Sequence, residues 1–295
     1  MKVVFAKNIG FCSGVKRAMI IAEKSLERDP KPVQFLGPLI HNEEIIKELK
    51  RRGGKIVSNL KQVKSGTLII RAHGVSPILF EKIPKSVLVR DATCPLVKNT
   101  QLKALKLFRE GYQVVVLGAR LHPEVIGIKG YTENKAIVIE NKNQIKILPK
   151  FNKIGFLAQT TQDVGRFKEI LKILKSKAKE TKWFNTICPE VMTRQKELNK
   201  ILKRADGILI IGSRASANTK RLVERVKESK KTTTHPPHPP ARSARGPLIF
   251  WVNSLNELKR GKIKKVSALG VVSGTSTPNW EIEKIKKWLK DAKQK

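Results

Sequence analysis

The sequence predicts an α/β fold built from repeated units of strand and helix. Short apolar runs of strand length alternate along the chain with longer helical stretches, which is the pattern of parallel α/β folds. Most of these runs are continuously apolar, as expected of parallel strands that are covered on both faces. A weak threefold repeat, in which a strand ends in glycine and a polar side chain follows, indicates that the units resemble one another.

The elements follow in order from the N-terminus. The predicted strands are 3–6, 33–36, 67–70, 86–90, 113–117, 136–139, 154–157, 183–184, 207–211, 248–252 and 266–272. The predicted helices are 15–27, 43–52, 96–110, 164–179, 191–204 and 221–229. We expect three α/β units, at 1–94 (with the N-terminal strand), 95–187 and 188–295. The stretch 232–246 contains a cluster of prolines, which suit neither a helix interior nor an inner strand, and predicts an exposed loop or insertion.

The composition favours a cytoplasmic globular protein. The chain has 295 residues and is 40% hydrophobic, which supports a sizeable core. No apolar run reaches the roughly 18 residues that a membrane-spanning helix needs. The N-terminus leads directly into a strand without signal-peptide architecture, so we expect a soluble protein of the cytoplasm that has no membrane partner.

The net charge of +37 raises the alternative of a nucleic-acid-binding protein. However, the lysines are spread through almost every predicted helix, and aromatic residues make up only 5% of the chain, so stacking platforms for bases are scarce. The sequence contains no zinc-finger, RRM or KH signature. We therefore interpret most of the charge as solvated helix surface and consider a nucleic-acid partner the weaker alternative.

The three cysteines, Cys12, Cys94 and Cys188, all lie between a predicted strand and a predicted helix. A lone buried cysteine is usually a small hydrophobic residue, but three at the same kind of junction favour a shared metal site. A zinc site completed by a histidine remains possible, although the close cysteine pairs typical of zinc sites are missing. An iron–sulfur cluster with three cysteines would leave one iron open to a ligand.

Polar side chains that suit an anion, such as the oxygens of a phosphate group, follow several of the predicted strands. In parallel α/β sheets such residues meet at the carboxyl ends of the strands, where ligands bind. Glu124 is a candidate proton donor, although a glutamate in the first turn of a helix is also favoured by the helix dipole. Thr160 can orient a substrate hydroxyl or cap the next helix. The candidate binding residues are His41, His73, His122, Ser216, Asn218 and Ser276.

Eight motifs, in order along almost the whole chain, resemble those of the 4-hydroxy-3-methylbut-2-enyl diphosphate reductase family. Any one of them is weakly specific, whereas the ordered set is highly specific. The motifs are Gly10–Ala18, Leu36–Asn42, Arg71–Val75, Asp91–Pro95, His122–Val125, Ala158–Thr161, Asn185–Cys188 and Ser276–Pro278.

The resemblance implies a trefoil of three pseudo-equivalent α/β domains around a central iron–sulfur cluster. It implies one 4Fe-4S cluster with Cys12, Cys94 and Cys188 as ligands and one open iron that takes the substrate hydroxyl. Two electrons from a low-potential donor of the ferredoxin or flavodoxin type, with two protons, would then remove this hydroxyl as water. The implied roles of the other residues are proton supply for Glu124, hydroxyl binding for Thr160, catalysis and diphosphate binding for His122, and diphosphate binding for His41, His73, Ser216, Asn218 and Ser276.

The chain departs from the family pattern in its third unit. Ala215 and Ala217 stand where the family usually has asparagine and serine, so one hydroxyl toward the diphosphate is missing. After the third cysteine the chain reads Pro189-Glu190-Val191 instead of the usual alanine and threonine. A degenerate member that keeps the cluster but has lost turnover is therefore a second alternative.

Overall fold

The computed structural model describes residues 1–232, 246–258, 260–263 and 265–294. Most of the predicted insertion at 232–246 lies outside the described residues. The chain forms two compact units. The terminal unit comprises Met1–Cys12, His41–Glu43 and Pro189–Lys295, and the central unit comprises Ser13–Ile40 and Glu44–Cys188.

Strands and helices alternate through the described residues, as the sequence predicts. The strands are β1 (Lys2–Phe5), β2 (Val33–Leu36), β3 (Lys55–Val57), β4 (Thr67–Ile70), β5 (Leu88–Asp91), β6 (Gln113–Leu117), β7 (Ile137–Ile139), β8 (Phe151–Ala158), β9 (Ala178–Trp183), β10 (Gly207–Ile211), β11 (Leu248–Val252) and β12 (Ala268–Ser273). The helices are α1 (Ser13–Arg28), α2 (Glu43–Arg51), α3 (Pro77–Glu81), α4 (Pro95–Arg109), α5 (Pro123–Gly130), α6 (Asn143–Lys146), α7 (Val164–Lys175), α8 (Pro189–Leu202), α9 (Ala217–Thr232), α10 (Arg260–Ile263) and α11 (Asn279–Gln294).

The strands form three four-stranded sheets in which every neighbouring pair is parallel. The central unit contains the sheets β3-β2-β4-β5 and β7-β6-β8-β9, and the terminal unit contains β1-β12-β10-β11. The prediction of an α/β fold with three equivalent parallel sheets is confirmed. Sheets of this kind place the ends of all their strands at one edge, which is where the candidate site residues lie.

The N-terminal strand differs from its predicted place. The sequence assigned it to the first unit, whereas β1 pairs with β12 and completes the third sheet, with Val3 opposite Leu269. An apolar pattern locates a strand but does not identify its partner, because pairing depends on residues far away in the chain. The predicted unit boundaries at 94/95 and 187/188 stay predictions.

A second difference concerns the predicted helix over 164–179. Helix α7 ends at Lys175, and the lysine-rich segment after it forms β9 at the edge of its sheet. Charged, solvated residues are common both on helix surfaces and on edge strands, so composition alone did not separate the two.

The core around β6 and β8 fixes the position of α5. Val114, Val116 and Leu157 of this sheet are at most 1% exposed, and they pack in one cluster with Val125 and Ile128 of α5. Both α5 residues are fully buried. The first turn of α5 is therefore held firmly at the carboxyl end of the sheet. Among the described residues, no helix combines the length and the apolar character that a membrane crossing needs.

Candidate active site

Each cysteine is attached by the same hydrogen bond to the loop after a strand. In every case the cysteine backbone N–H donates to the carbonyl of the second residue after an inner strand of a sheet, which is β4 for Cys94, β8 for Cys188 and β12 for Cys12. The bonds are Cys94 N to Ala72 O (3.0 Å), Cys188 N to Thr160 O (2.9 Å) and Cys12 N to Thr275 O (3.1 Å). The threefold repeat predicted from the sequence is thus present in the backbone geometry. None of the three cysteines forms a disulfide.

The turn that carries Cys94 is held from both sides. The carboxylate of Asp91 accepts a hydrogen bond from Thr93 N (2.9 Å), and Arg17 of α1 donates to Thr93 O (3.0 Å). Cys94 precedes α4, yet its side chain does not cap the helix. A Cβ added to Gly14 would lie 2.6 Å from the Cys94 Sγ, so only glycine leaves room for this thiol. The sulfur is free from capping and closely packed on one side, which fits a metal–thiolate ligand.

Arg194 of α8 fixes the turn before Cys12 within the terminal unit. Its guanidinium is 4% exposed and donates to Gly10 O (2.7 Å) and Ser273 O (3.0 Å). Gly10 has a φ of +89°, which favours glycine. This buried arginine joins the end of β12 to the N-terminal turn.

Glu124 is the most unusual titratable group of the central unit. It is 2% exposed, and its carboxylate accepts hydrogen bonds from Thr160 N to Oε1 (2.7 Å) and from Thr160 Oγ1 to Oε2 (3.0 Å). Burial raises the pKa of Glu124 to about 7, while the bonds from Thr160 act in the opposite direction. The group therefore exchanges a proton near neutral pH, as a general acid must.

His122 caps the helix that carries Glu124. Its Nδ1 accepts a hydrogen bond from Glu124 N (3.2 Å), so the neutral ring carries its proton on Nε2. The ring of His73 meets the His122 ring edge to face at a centroid distance of 5.3 Å. These two rings, Glu124 and Thr160 form one group at the ends of β4, β6 and β8.

Gln159 supports this group, and sequence reasoning gave it no role. Its side chain is 1% exposed, accepts from Ala119 N (3.1 Å) and donates to Thr161 Oγ1 (3.0 Å). It thereby joins the loops after β6 and β8. The sequence feature that could have identified Gln159 is its place beside Thr160 in the Ala158–Thr161 motif.

In the terminal unit, the segment 41–43 is bonded to two loops. Asn42 Nδ2 donates to Ser276 O (2.9 Å), and Ser276 Oγ donates to His41 O (3.2 Å). Ser213 Oγ donates to Glu43 Oε1 (3.0 Å) from the loop after β10. His41 and Ser276 are therefore brought together, and Asn42 and Glu43 are supporting residues that the sequence analysis did not identify.

The start of α9 presents an unsatisfied amide. Ser216 Oγ accepts from Thr219 N (3.3 Å) and caps the helix, as expected of a serine at this position. Asn218 is 2% exposed, yet neither its Oδ1 nor its Nδ2 has a hydrogen-bond partner among the described residues. A buried amide without partners at a helix N-terminus fits an anionic ligand.

The departures from the family pattern are compatible with regular helices. Pro189 and Glu190 form the first turn of α8, where proline and an acidic residue are both favoured. Ala217 begins α9. The missing hydroxyl at Ala217 therefore changes the groups available to a ligand and leaves the start of the helix intact.

Comparisons with known proteins match most or nearly all of the chain. A sequence model of the family described as "LytB protein" matches residues 3–239. The 4-hydroxy-3-methylbut-2-enyl diphosphate reductase of Dictyoglomus thermophilum is 38% identical over 292 residues, which cover 98% of this chain and 96% of that protein.

Two solved structures share the fold. The E-1-hydroxy-2-methyl-but-2-enyl-4-diphosphate reductase of Plasmodium falciparum is 28% identical and matches with a TM-score of 0.87, covering 98% of this chain and 87% of that one. An (E)-4-hydroxy-3-methyl-but-2-enyl diphosphate reductase, described as the terminal enzyme of the non-mevalonate pathway, is 37% identical with a TM-score of 0.69 and covers 99% of this chain and 100% of that one.

Proposed function

The chain belongs to the 4-hydroxy-3-methylbut-2-enyl diphosphate reductase family, and we propose that its own residues carry out the reductive dehydroxylation of this diphosphate. Two electrons and two protons convert the substrate to isopentenyl or dimethylallyl diphosphate and one molecule of water. The observation that carries the proposal is the buried Glu124, bonded to Thr160 and protonated near neutral pH.

The proposed cofactor is one 4Fe-4S cluster bound by Cys12, Cys94 and Cys188. Such a cluster would supply electrons to the substrate and an open, Lewis-acidic iron for its hydroxyl group. The shared backbone bond of the three cysteines supports a common role. The close approach of Gly14 to Cys94 supports thiolate ligation in particular.

Glu124 is the proposed source of protons. The hydroxyl of Thr160 lies 3.0 Å from Glu124 Oε2, within the range for direct proton exchange. A substrate hydroxyl bound beside Thr160 would receive the proton of Glu124 through this threonine and leave as water. The His122 ring, with its proton on Nε2, would donate to the same end of the substrate.

The diphosphate is proposed to bind to side-chain hydrogen-bond donors. The candidate residues belong to loops after strands in each sheet, and Asn218 supports this role because both of its side-chain polar atoms are buried without partners. The full set is His41, His73, His122, Ser216, Asn218 and Ser276.

The electrons must come from a partner, since the reaction consumes two for each substrate. A low-potential donor of the ferredoxin or flavodoxin type is the proposed partner. Location in the cytoplasm stays a prediction.

Anaerobic purification tests the proposal directly. We expect a brown protein with about four irons per chain, as a 4Fe-4S cluster requires, that converts the hydroxylated diphosphate when a low-potential reductant is added. We also expect the visible spectrum to change when substrate is added. A colourless protein that contains stoichiometric zinc would overturn the proposal.

A further inference from the structure

Gln101 presents a buried donor with no partner in the middle of α4. Its side chain is 1% exposed, and its Nε2 has no hydrogen-bond partner among the described residues. Leaving a buried polar group unsatisfied lowers the stability of the folded protein. An apolar side chain of similar shape would avoid this cost, so we consider the space that the Gln101 side chain fills rather than a hydrogen bond from its amide.

Two glycines give space to the Gln101 amide. A Cβ added to Gly74 would lie 2.6 Å from Gln101 Nε2, and one added to Gly127 would lie 2.9 Å from the same atom. The position of the Gly127 Cβ is also 3.7 Å from His73 O. The amide is thus wedged between the loop that follows β4 and the helix α5.

Gly127 has no conformational reason to be glycine. It lies inside α5 with an ordinary helical backbone, where glycine is less favourable than alanine. Gly74, by contrast, has a φ of +68° and suits glycine in any case. A side chain at position 127 would therefore have to displace the Gln101 amide.

We propose that Gln101 is a positioning residue that sets the separation between the His73 loop and α5. The inference rests on the proposed function, because α5 carries His122 and Glu124. His73 precedes Gly74, and Glu124 lies one turn before Gly127. The amide thus determines how the His73 and His122 rings face each other at 5.3 Å.

A double-mutant cycle tests this role. In Gln101→Ala the wedge is lost, and the His73 loop and α5 relax toward each other. In Gly127→Ala the new methyl group collides with the amide and pushes the two apart. We expect each single variant to raise the KM for the diphosphate about tenfold, since small misplacements of binding groups are costly. In the double variant the methyl group fills part of the vacated space, so its KM should lie below that of either single variant.

Gln34 provides a matched control. It is also a buried glutamine of the central unit, at 4% exposure, but its Nε2 is satisfied by Ser65 O at 2.9 Å. Gln34→Ala should lower the unfolding midpoint and leave the KM unchanged. Gln101→Met should restore the KM that is lost in Gln101→Ala, because methionine refills the space without the unsatisfied donor.

Two measurements on the anaerobically purified holoenzyme separate the outcomes. The KM is measured by turnover, and affinity for inorganic pyrophosphate is measured by calorimetry. If the unmodified protein turns over and Gln101→Ala changes only stability, or if the two single effects add, the positioning role is overturned. If turnover is absent but pyrophosphate affinity falls in Gln101→Ala and recovers in the double variant, the proposed function fails while the positioning role stands.

Discussion

Replacing Glu124 by glutamine should change the dependence of stability on pH. In the folded protein burial raises the pKa of Glu124 from 4.5 to about 7, so the folded state holds a proton that the unfolded chain releases. The contribution of Glu124 to the unfolding free energy therefore falls as the pH rises from about 4.5 to about 7 and is level above that range. Glu124→Gln removes this titration while keeping the size of the side chain.

The magnitude follows from the shift in pKa. Each pKa unit corresponds to about 1.4 kcal/mol, so the shift from 4.5 to about 7 corresponds to about 3 kcal/mol. The carboxyl is 2% exposed, and solvent screening therefore reduces this value little. The unfolding free energy of Glu124→Gln minus that of the unmodified protein should increase by about 3 kcal/mol between pH 4.5 and pH 8.

Denaturant unfolding of both proteins at a series of pH values measures this difference, and other titrating groups cancel in the subtraction. Thr160→Val serves as a directional control. It removes the hydroxyl donor that favours the carboxylate, so it should raise the pKa of Glu124 further and move the pH step upward. A difference between Glu124→Gln and the unmodified protein that is the same at pH 4.5 and pH 8 would refute the reasoning.

Four further outcomes are expected. Glu124→Gln should lower kcat by about 10²–10⁴-fold, and in the unmodified protein activity should decline above pH 7 as the acid loses its proton, both measured by turnover assays across pH. Gly14→Ala should displace the Cys94 Sγ by about 1 Å, which exceeds the roughly 0.2 Å tolerance of metal–ligand bonds, so iron analysis should show loss of the cluster. Gly261→Ala is the control and should keep its iron, because no atom of the described residues lies within 4 Å of the added Cβ. Asn218→Leu should raise the unfolding midpoint, because two unsatisfied polar atoms disappear, yet raise the KM; an unchanged KM would contradict diphosphate binding at this position. Ala217→Ser should increase turnover if the chain is a degenerate member of the family. If the unmodified protein is inactive and this substitution gives no turnover, the reason for considering a degenerate enzyme is removed.

The role of the high net charge in binding nucleic acid can be tested with the same protein preparations. If the +37 charge is solvated surface, binding to RNA and to heparin should be alike and should be lost at physiological salt. Retention of RNA alone at that salt concentration would favour the nucleic-acid alternative.

Sequence patterns could predict the features that depend on residues close together in the chain. A continuous apolar run indicates a covered parallel strand wherever it lies, so most strands of the three sheets could be predicted. The short strand β3 was not predicted, and the first residues of the charged edge strand β9 were assigned to a helix. The junction between strand and helix is also local, which is why Cys94 and Cys188 could be placed at equivalent turns before any contact was known. The candidate proton donor, Glu124, was identified from its place two residues after His122, a candidate site histidine that follows a strand.

Only the tertiary structure decided which elements meet. The pairing of β1 with β12 makes the N-terminal strand part of the third sheet, because a strand pairs with whichever strand the rest of the chain brings beside it. The proton affinity of Glu124 likewise depends on burial and on Thr160, which lies far away in the chain. Gln101 illustrates the limit most clearly: in the sequence it is one polar residue of an amphipathic helix, and its unsatisfied amide exists only because Gly74 and Gly127 close around it.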